Sequence, residues 1–446
     1  MDDASIIVLG AGPAGAATAI GLKRLGYRVV VVSKPRPFES LEAVSDRVVA
    51  GMRAGGFDQA VSRIAEASPR QATWGGQTVS ANTEHLIRRS EFDQALLSDL
   101  ISRGVEVVTS RVRLCEQVAG QWQITAETAE GAKTVLKARF LVESRGRASP
   151  ASGLPRIKGP QTVSLLQHWK GQALSPRTGV ESFPDGWAWM AASSDGRRYL
   201  QLTLDVESAR VPAKRHLSAW FENKLKTLTQ VSRFIEGAKP IGEVYGRTST
   251  AVLCEANVGN SWIRVGDAAM AVDPLSGNGM FQALSSALQA PAVINTLIQC
   301  PERAELAKQF YEERVENLFY RFARIGRDFY QTEKTWCEIP FWKVRGSWPD
   351  SLPLHASVTP ETVKTALRPV VKDGVIEEQK VVVTPDNPLG IWHINGLPLA
   401  DLLETIRSMP RQSPHLVLME ALGHQTGKAV ADWMESQGWF NGKTSV

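Results

Sequence analysis

The chain has 446 residues, 43% of them hydrophobic and 22% charged. That balance excludes a disordered or fibrous polymer and suggests roughly two to four domains. Its four cysteines, Cys115, Cys254, Cys300 and Cys337, form no Cys-x-x-Cys pair, which excludes a disulfide scaffold and a cysteine-type metal or iron–sulfur centre. A net charge of +5 is small for this length and the basic residues are dispersed, so no nucleic-acid partner is implied.

Met1-Asp2-Asp3 is acidic where a signal peptide starts basic. The apolar stretch Ile6 to Ile20 is broken by three glycines and a proline, and a bilayer span takes about 20 residues. These features point to a cytoplasmic protein without a membrane partner. The 13 tryptophans, some clustered as Trp187/Trp189 and Trp336/Trp342/Trp348, suggest aromatic-lined surfaces or pockets.

In chain order, Ser5 to Leu9 reads as a buried parallel strand, Ala16 to Leu25 as a helix and Tyr27 to Val32 as a second strand. Residues 39–66 read as helical, and 70–88 as short extended runs. Glu91 to Arg103 follows as an amphipathic helix, Gly104 to Thr109 as a strand and 111–141 as a meander. Strand-like segments recur over 160–206, followed by helix over Pro212 to Glu236. Ser261 to Val265 reads as a buried strand, Gly279 to Gln299 as a small-residue helix and Pro301 to Trp336 as an amphipathic helical pair. A Pro/Ser-rich linker over 346–360 leads to a hairpin at Val370 to Thr384. Helices are expected at Pro398 to Ile406 and Leu416 to Trp433.

Gly10, Gly12 and Gly15, with Pro13 and Ala14 between them, make Gly-x-Gly-x-x-Gly between a strand and a helix. The first glycine permits a tight turn. The second lets backbone approach a pyrophosphate, and the third lets helix and strand pack closely. The helix N-terminus adds N–H groups and partial positive charge. A plain Gly-rich turn is the alternative. The second strand departs from the usual acidic ending: it runs into Ser33-Lys34. Ser33 is left to make a single bond to the sugar, and Lys34 or Arg36 to reach a phosphate, with the 2′-phosphate of an NADP as the nominal alternative.

Two further segments bear on the nucleotide. Ile87-Arg-Arg-Ser-Glu-Phe-Asp93 opens a helix, and taken alone it is a capping pattern with Ser90 as N-cap. Ile263-Arg-Val-Gly266-Asp267 follows a strand and precedes Asp273-Pro274-Leu-Ser-Gly277-Asn278-Gly279-Met280. Amides at that helix start suit an anionic group such as a flavin pyrimidine carbonyl, and Asp267 suits a ribityl or ribose hydroxyl. The bland alternative is a turn with an N-cap.

Together, in this order over residues 1–345, the motifs resemble the FAD-dependent monooxygenase and halogenase superfamily. The resemblance implies an α/β fold: a glutathione-reductase-type FAD-binding Rossmann domain (1–160 and 245–345, including long helices over 300–336). It also implies a β-sheet substrate domain (70–90 and 160–245), beside which 350–446 forms a small α+β C-terminal domain. FAD contacts would come from Gly10 to Gly15, Arg89 of the Arg-x-x-Phe-Asp segment, Val112, Gly266-Asp267 and Pro274 through Met280. Glu143-Ser-Arg-Gly146-Arg147-Ala-Ser149 is similar to a further segment of the family.

Halogenases of this superfamily carry Trp-x-Trp-x-Ile-Pro and a lysine that captures hypohalous acid. Here Trp187-Ala-Trp189 is followed by Met-Ala-Ala, and no lysine occurs between Lys34 and Lys133. Hydroxylation is therefore favoured, with Trp187 and Trp189 in the substrate pocket; a half-buried strand with one alternating face is the alternative. By the resemblance, NAD(P)H or a flavin reductase reduces FAD, oxygen gives a C4a-hydroperoxide, and an electron-rich aromatic ring is hydroxylated.

Within the superfamily the chain is similar to flavoproteins that mature tryptophylquinone cofactors, on Phe38-Glu-Ser40, Val44-Ser-Asp-Arg47-Val, Ala-Met-Ala-Val-Asp273-Pro274, Phe329-Tyr330 and Pro340-Phe341-Trp342. That implies a tryptophan in a small partner protein as substrate. Hydroxylation of a small aromatic metabolite and a non-catalytic FAD-binding scaffold remain open. The proton acceptor is open between His168, Glu143 and Asp273. The spacing over Gly390 to Phe440 suggests a winged-helix-like module, which would serve as a lid, as a docking platform for a protein substrate or, third, as a DNA-binding part.

Overall fold

The computed structural model describes residues 4–36, 38–150 and 154–440; Met1-Asp2-Asp3 lies outside them. The chain forms two compact units, Met1–Ile294 with Val315–Leu352 and Asn295–Arg314 with Pro353–Val446. The first unit thus holds both the nucleotide-binding and the β-sheet segments. Residues 295–314, expected with the FAD-binding part, fall in the second unit.

The first unit has two large sheets. In one, Ala4–Leu9 lies between Val29–Ser33 and Lys133–Glu143, all parallel, with Glu106–Thr109 and Trp262–Arg264 extending the parallel row on either side. Both faces are covered, so Ile6, Ile7, Val8 and Leu9 are fully buried, as a parallel strand requires. Arg111–Val118, Gln121–Glu127 and Lys133–Glu143 form the expected meander.

The second sheet has eight strands, in the order 239–248, 162–170, 197–205, 186–192, 177–183, 64–74, 77–88 and 41–44. Its two faces bury different clusters. Ala188, Met190 and Ala192 pack with Phe221, Leu225 and Phe234 from the helices Lys214–Lys226 and Thr229–Ile235. Trp187 packs on the other face with Tyr330, Phe341 and Trp342. The strand Gly186–Ala192 is therefore buried on both sides, not half-buried with one alternating face as the Trp-x-Trp pattern alone allowed. Fully burying each such large side chain contributes about 1.5–3 kcal/mol.

Three expectations are corrected. Residues 39–66 are not one helical stretch: Leu41–Val44 is a strand paired with His85–Arg88, followed by helices Asp46–Gly55 and Asp58–Val61. Pairing to a formed sheet edge overrides weak local propensity. Pro301 to Trp336 is not a helical pair but one 29-residue helix, Ala304–Thr332, after a 3-10 turn. Ser90 is not an N-cap; Arg88 holds that position and Ser90 lies inside the helix Arg89–Ser102.

In the second unit, Lys364–Lys372 and Val375–Val383 form an antiparallel hairpin with Asp373 and Gly374 at positive φ in its turn. Three helices follow: Leu399–Ser408, Pro414–Leu422 and His424–Ser436. Gly423 (φ +81°) breaks the expected continuous helix into the last two. No helix among the described residues is long and apolar enough to cross a membrane.

Candidate functional site

The strand–loop–helix unit at the N-terminus sorts its glycines by function. Gly10 has φ +105°, where only glycine is at ease, and a Cβ there would meet the Ser144 carbonyl oxygen at 2.7 Å. A Cβ on Gly15 would lie 2.0 Å from the Gly10 carbonyl oxygen. Those two positions are closed by the protein's own backbone. Gly12 differs: a Cβ there meets no atom within 4 Å. It caps the helix Pro13–Arg24, whose first position is Pro13, the residue that loses no needed N–H there. Backbone at Gly12 thus borders open space at a helix N-terminus, the cradle a pyrophosphate needs.

The same division recurs at the second loop. Gly266 (φ +60°) is packed, its Cβ position lying 2.7 Å from the Ala14 methyl, and its amide donates to Ser286 Oγ at 3.0 Å. Gly277 (φ +65°) and Gly279 meet no atom within 4 Å. Gly279 begins the helix Gly279–Gln299, as expected from the sequence, and Asn278 Nδ2 donates to the Ser276 carbonyl beside it. Met280 is half-buried in the helix's first turn. A Gly-bordered cradle lies at each of two helix N-termini, and the donor sets fit a pyrophosphate and an anionic ring carbonyl of FAD.

Asp267 ties the second loop to the helix Gly279–Gln299 and to the turn Gly146–Ala148. It accepts from Gln282 Nε2 at 2.8 Å and pairs with Arg147 at 3.5 Å. Burial raises its pKa, against the opposing pull of Arg147. Arg147 also donates to the carbonyls of Thr250 (2.7 Å) and Val272 (3.2 Å), fixing the approach to the second loop.

Other sequence-chosen residues, Lys34 apart, are engaged with protein. Ser33 Oγ accepts the Ala11 amide at 3.2 Å. Lys34 is exposed. Arg36 pairs with Asp93 at 3.0 Å and stacks over Phe38. Arg89 holds Glu42 through Nη1 (2.8 and 3.0 Å) and Asp93 through Nε and Nη2 (3.0 and 2.8 Å). Its fork is fully occupied by carboxylates, which raise its pKa although burial works the other way. Val112 pairs with Ala126 and packs against the Ile7, Leu9, Val30 and Val32 cluster, so its side chain serves the sheet. Glu42 was hidden from sequence reasoning because its strand read as helix.

The three proton-acceptor candidates separate. His168 Nε2 faces the Glu39 carbonyl at 3.3 Å and its ring meets Tyr199 edge-on. Glu143 is buried and committed to the Arg145 side chain and amide. Asp273 caps the 3-10 turn Pro274–Ser276 by accepting the Leu275 amide at 2.8 Å, and accepts the Tyr330 hydroxyl at 3.1 Å. Burial raises the Asp273 pKa, partly offset by those donors and by Arg345 and Arg147. The Trp187 indole N–H reaches Tyr330 Oη at 3.2 Å. Trp189 is half-buried and meets Tyr199 edge-on at 5.5 Å. Tyr330 was visible in sequence only through the Phe329-Tyr330 resemblance. Away from these loops, His415, Asp432 and Glu435 bring ligand atoms within 4.8 Å of one another, but Lys428 Nζ sits 2.6 Å from Asp432 and already supplies the cation.

The lycopene cyclase protein family matches residues 5–180. The chain is 26% identical over 374 residues to the tryptophan 2-halogenase of Chondromyces crocatus, covering 76% of this chain and 69% of the halogenase. It is 46% identical to a solved structure, the peptidyl tryptophan dihydroxylase QhpG essential for tryptophylquinone cofactor biogenesis, with TM-score 0.84 and coverage of 98% and 99% of the two chains. The flavin-dependent halogenase CmlS, 16% identical, shares the fold at TM-score 0.79 over 98% and 96%. The chain belongs to the FAD-dependent halogenase and monooxygenase superfamily, as an oxidoreductase with FAD as its cofactor.

Proposed function

We propose that this protein hydroxylates a tryptophan side chain in a small partner protein, a step in building a tryptophylquinone cofactor. The observation that carries the proposal is the 46% identity to a peptidyl tryptophan dihydroxylase over 98% of the chain. The Trp-x-Trp strand of halogenases is retained, but no lysine stands between Lys34 and Lys133, which favours oxygen over halogen transfer.

FAD, reduced by NAD(P)H or a flavin reductase, supplies activated oxygen from O2 to an electron-rich ring. The chain's own groups bind and orient. Gly12, Pro13 and the helix N-terminus would take the pyrophosphate, Asp267 a sugar or ribityl hydroxyl, and the amides that open the helix Gly279–Gln299 the ring carbonyl. Trp187 and Trp189 line one wall of the ring site and keep water out, which protects the activated oxygen.

The test is product mass. Enzyme, reductant and oxygen are given either free tryptophan and simple indoles or a small tryptophan-bearing partner from a quinone-enzyme system. Oxygen added to the protein substrate is the expected result. Oxygen added only to the free indoles overturns the protein-substrate reading and makes this a metabolite hydroxylase. Saturable substrate-stimulated NAD(P)H oxidation eliminates the scaffold alternative.

A further inference from the structure

Trp187, Tyr330 and Asp273 form a file of hydrogen bonds with one polarity. The indole nitrogen only donates, so the bond Trp187 Nε1 to Tyr330 Oη (3.2 Å) fixes the phenol as acceptor there. The single phenolic proton is then committed to Asp273, with Oδ1 at 3.1 Å and Oδ2 at 3.3 Å. The three residues come from the strand Gly186–Ala192, the helix Ala304–Thr332 and the residue before Pro274.

Packing alone does not explain the hydroxyl. The Tyr330 ring meets Phe341 and Trp342 edge-on, each at 5.8 Å between centroids, and phenylalanine would make the same contacts. A buried hydroxyl costs stability unless it is bonded at both ends, and this one is bonded to a carboxylate that begins the candidate flavin loop. Burial and the neighbouring Asp273 charge push the phenol well above its usual range, so Tyr330 keeps its proton and does not itself act as base.

We propose that Asp273 accepts the proton released from the substrate ring, and that Tyr330 is the positioning residue that fixes the orientation and basicity of that carboxylate. This rests on the hydroxylase reading above. In the step, a π pair of the ring forms the C–O bond as the O–O bond of the activated oxygen breaks and leaves its pair on the departing oxygen atom, and the C–H bond at that carbon then breaks. The C–H electron pair returns to the ring, and the proton goes to an Asp273 oxygen. The second atom of O2 leaves as water, reduced by two electrons from NAD(P)H.

The charged groups facing Asp273 are Arg345 from the helix Pro340–Arg345 and Arg147 from the turn Gly146–Ala148, with Tyr330 the titratable neighbour. Both guanidiniums are held by other partners: Arg345 by Asp205 and the Gln161 carbonyl, Arg147 by Asp267. Beside the Leu275 amide (2.8 Å), Tyr330 is a neutral side-chain donor whose removal leaves those charges in place.

The test uses holoenzyme, with bound-flavin absorbance reporting that each variant folds. The Asp273 carboxyl band, identified by its loss in Asp273→Asn, is titrated by infrared difference spectroscopy in the parent and in Tyr330→Phe. Loss of one hydrogen bond to the charged form moves that titration up by about one pH unit. The acid limb of the single-turnover oxygen-transfer rate moves by the same amount, and Asp273→Asn lowers that rate by roughly 10²–10⁴-fold. An unmoved carboxyl titration in Tyr330→Phe overturns the positioning role, whatever the substrate. Parent-like oxygen transfer in Asp273→Asn overturns the base. Failure of every aromatic substrate to gain oxygen sinks the hydroxylase reading instead, and the infrared titration still decides the role of Tyr330.

Discussion

The Ala11 amide donates to Ser33 Oγ at 3.2 Å, tying the phosphate loop to the end of the second strand. An acidic residue at that strand end usually serves the ribose; here the serine serves the loop. Ser33→Ala leaves the Ala11 amide without this acceptor, a net loss of about 0.5–1.5 kcal/mol. FAD affinity then falls by up to about tenfold, measured by flavin fluorescence quenching on titration of apoprotein. An undiminished affinity means that the bond does not shape the loop.

The glycine pair at positions 12 and 15 separates binding from folding. Gly12→Val projects into open space beside the helix N-terminus, so the fold persists and bound flavin is lost. Gly15→Ala puts a methyl 2.0 Å from the Gly10 carbonyl oxygen, which forces helix and strand apart. That overpacking costs about 1–3 kcal/mol or more. Thermal melts of the apoproteins and flavin content give the two readouts. A yellow, fully loaded Gly12→Val protein contradicts the pyrophosphate assignment.

Motifs confined to one loop were legible in the sequence because their glycines answer to local geometry. The Gly10–Gly15 turn and the start of the Gly279–Gln299 helix are of this kind. Leu41–Val44 was not legible: four residues with no strong alternation become a strand only when His85–Arg88 offers an edge. The Trp187–Tyr330–Asp273 file was hidden for a different reason. Its bonds span 143 and 57 residues, and no local pattern encodes such a meeting. The Arg36–Asp93 pair was likewise hidden, because its two residues stand 57 positions apart.

Arg89 bridges Glu42 and Asp93, its side chain 8% exposed against 40% and 24% for its partners. Arg89→Ala strands two carboxylates around a buried gap. Breaking a buried pair from one side costs roughly 3–5 kcal/mol, and the exposure of Glu42 places this loss toward the lower end. Arg89→Lys keeps the charge but cannot hold both partners in one plane, so it recovers only part of the loss. Urea unfolding of the three proteins orders them; equal stability of Arg89→Ala and the parent rejects a structural role for the bridge.

Asp205 gives a pH dependence whose sign follows from its partners. Burial alone would raise its pKa, but the Ser208 amide (2.9 Å) and the Arg345 guanidinium (3.2 Å) outweigh it and hold the group below its usual 3.8. A carboxyl with a depressed folded-state pKa contributes its full stabilisation above the unfolded value and loses it as pH falls through the folded one. Asp205→Asn, which also leaves the buried Arg345 without its carboxylate, is therefore less stable than the parent at pH 7. Hydrogen bonds to a charged group set the gap at about 1.5–3 kcal/mol. Below pH 3.8 the parent progressively loses this advantage and the two denaturation midpoints converge. Midpoints in urea from neutral pH to below that value check the slope, and a gap that widens on acidification contradicts the ion pair as its source.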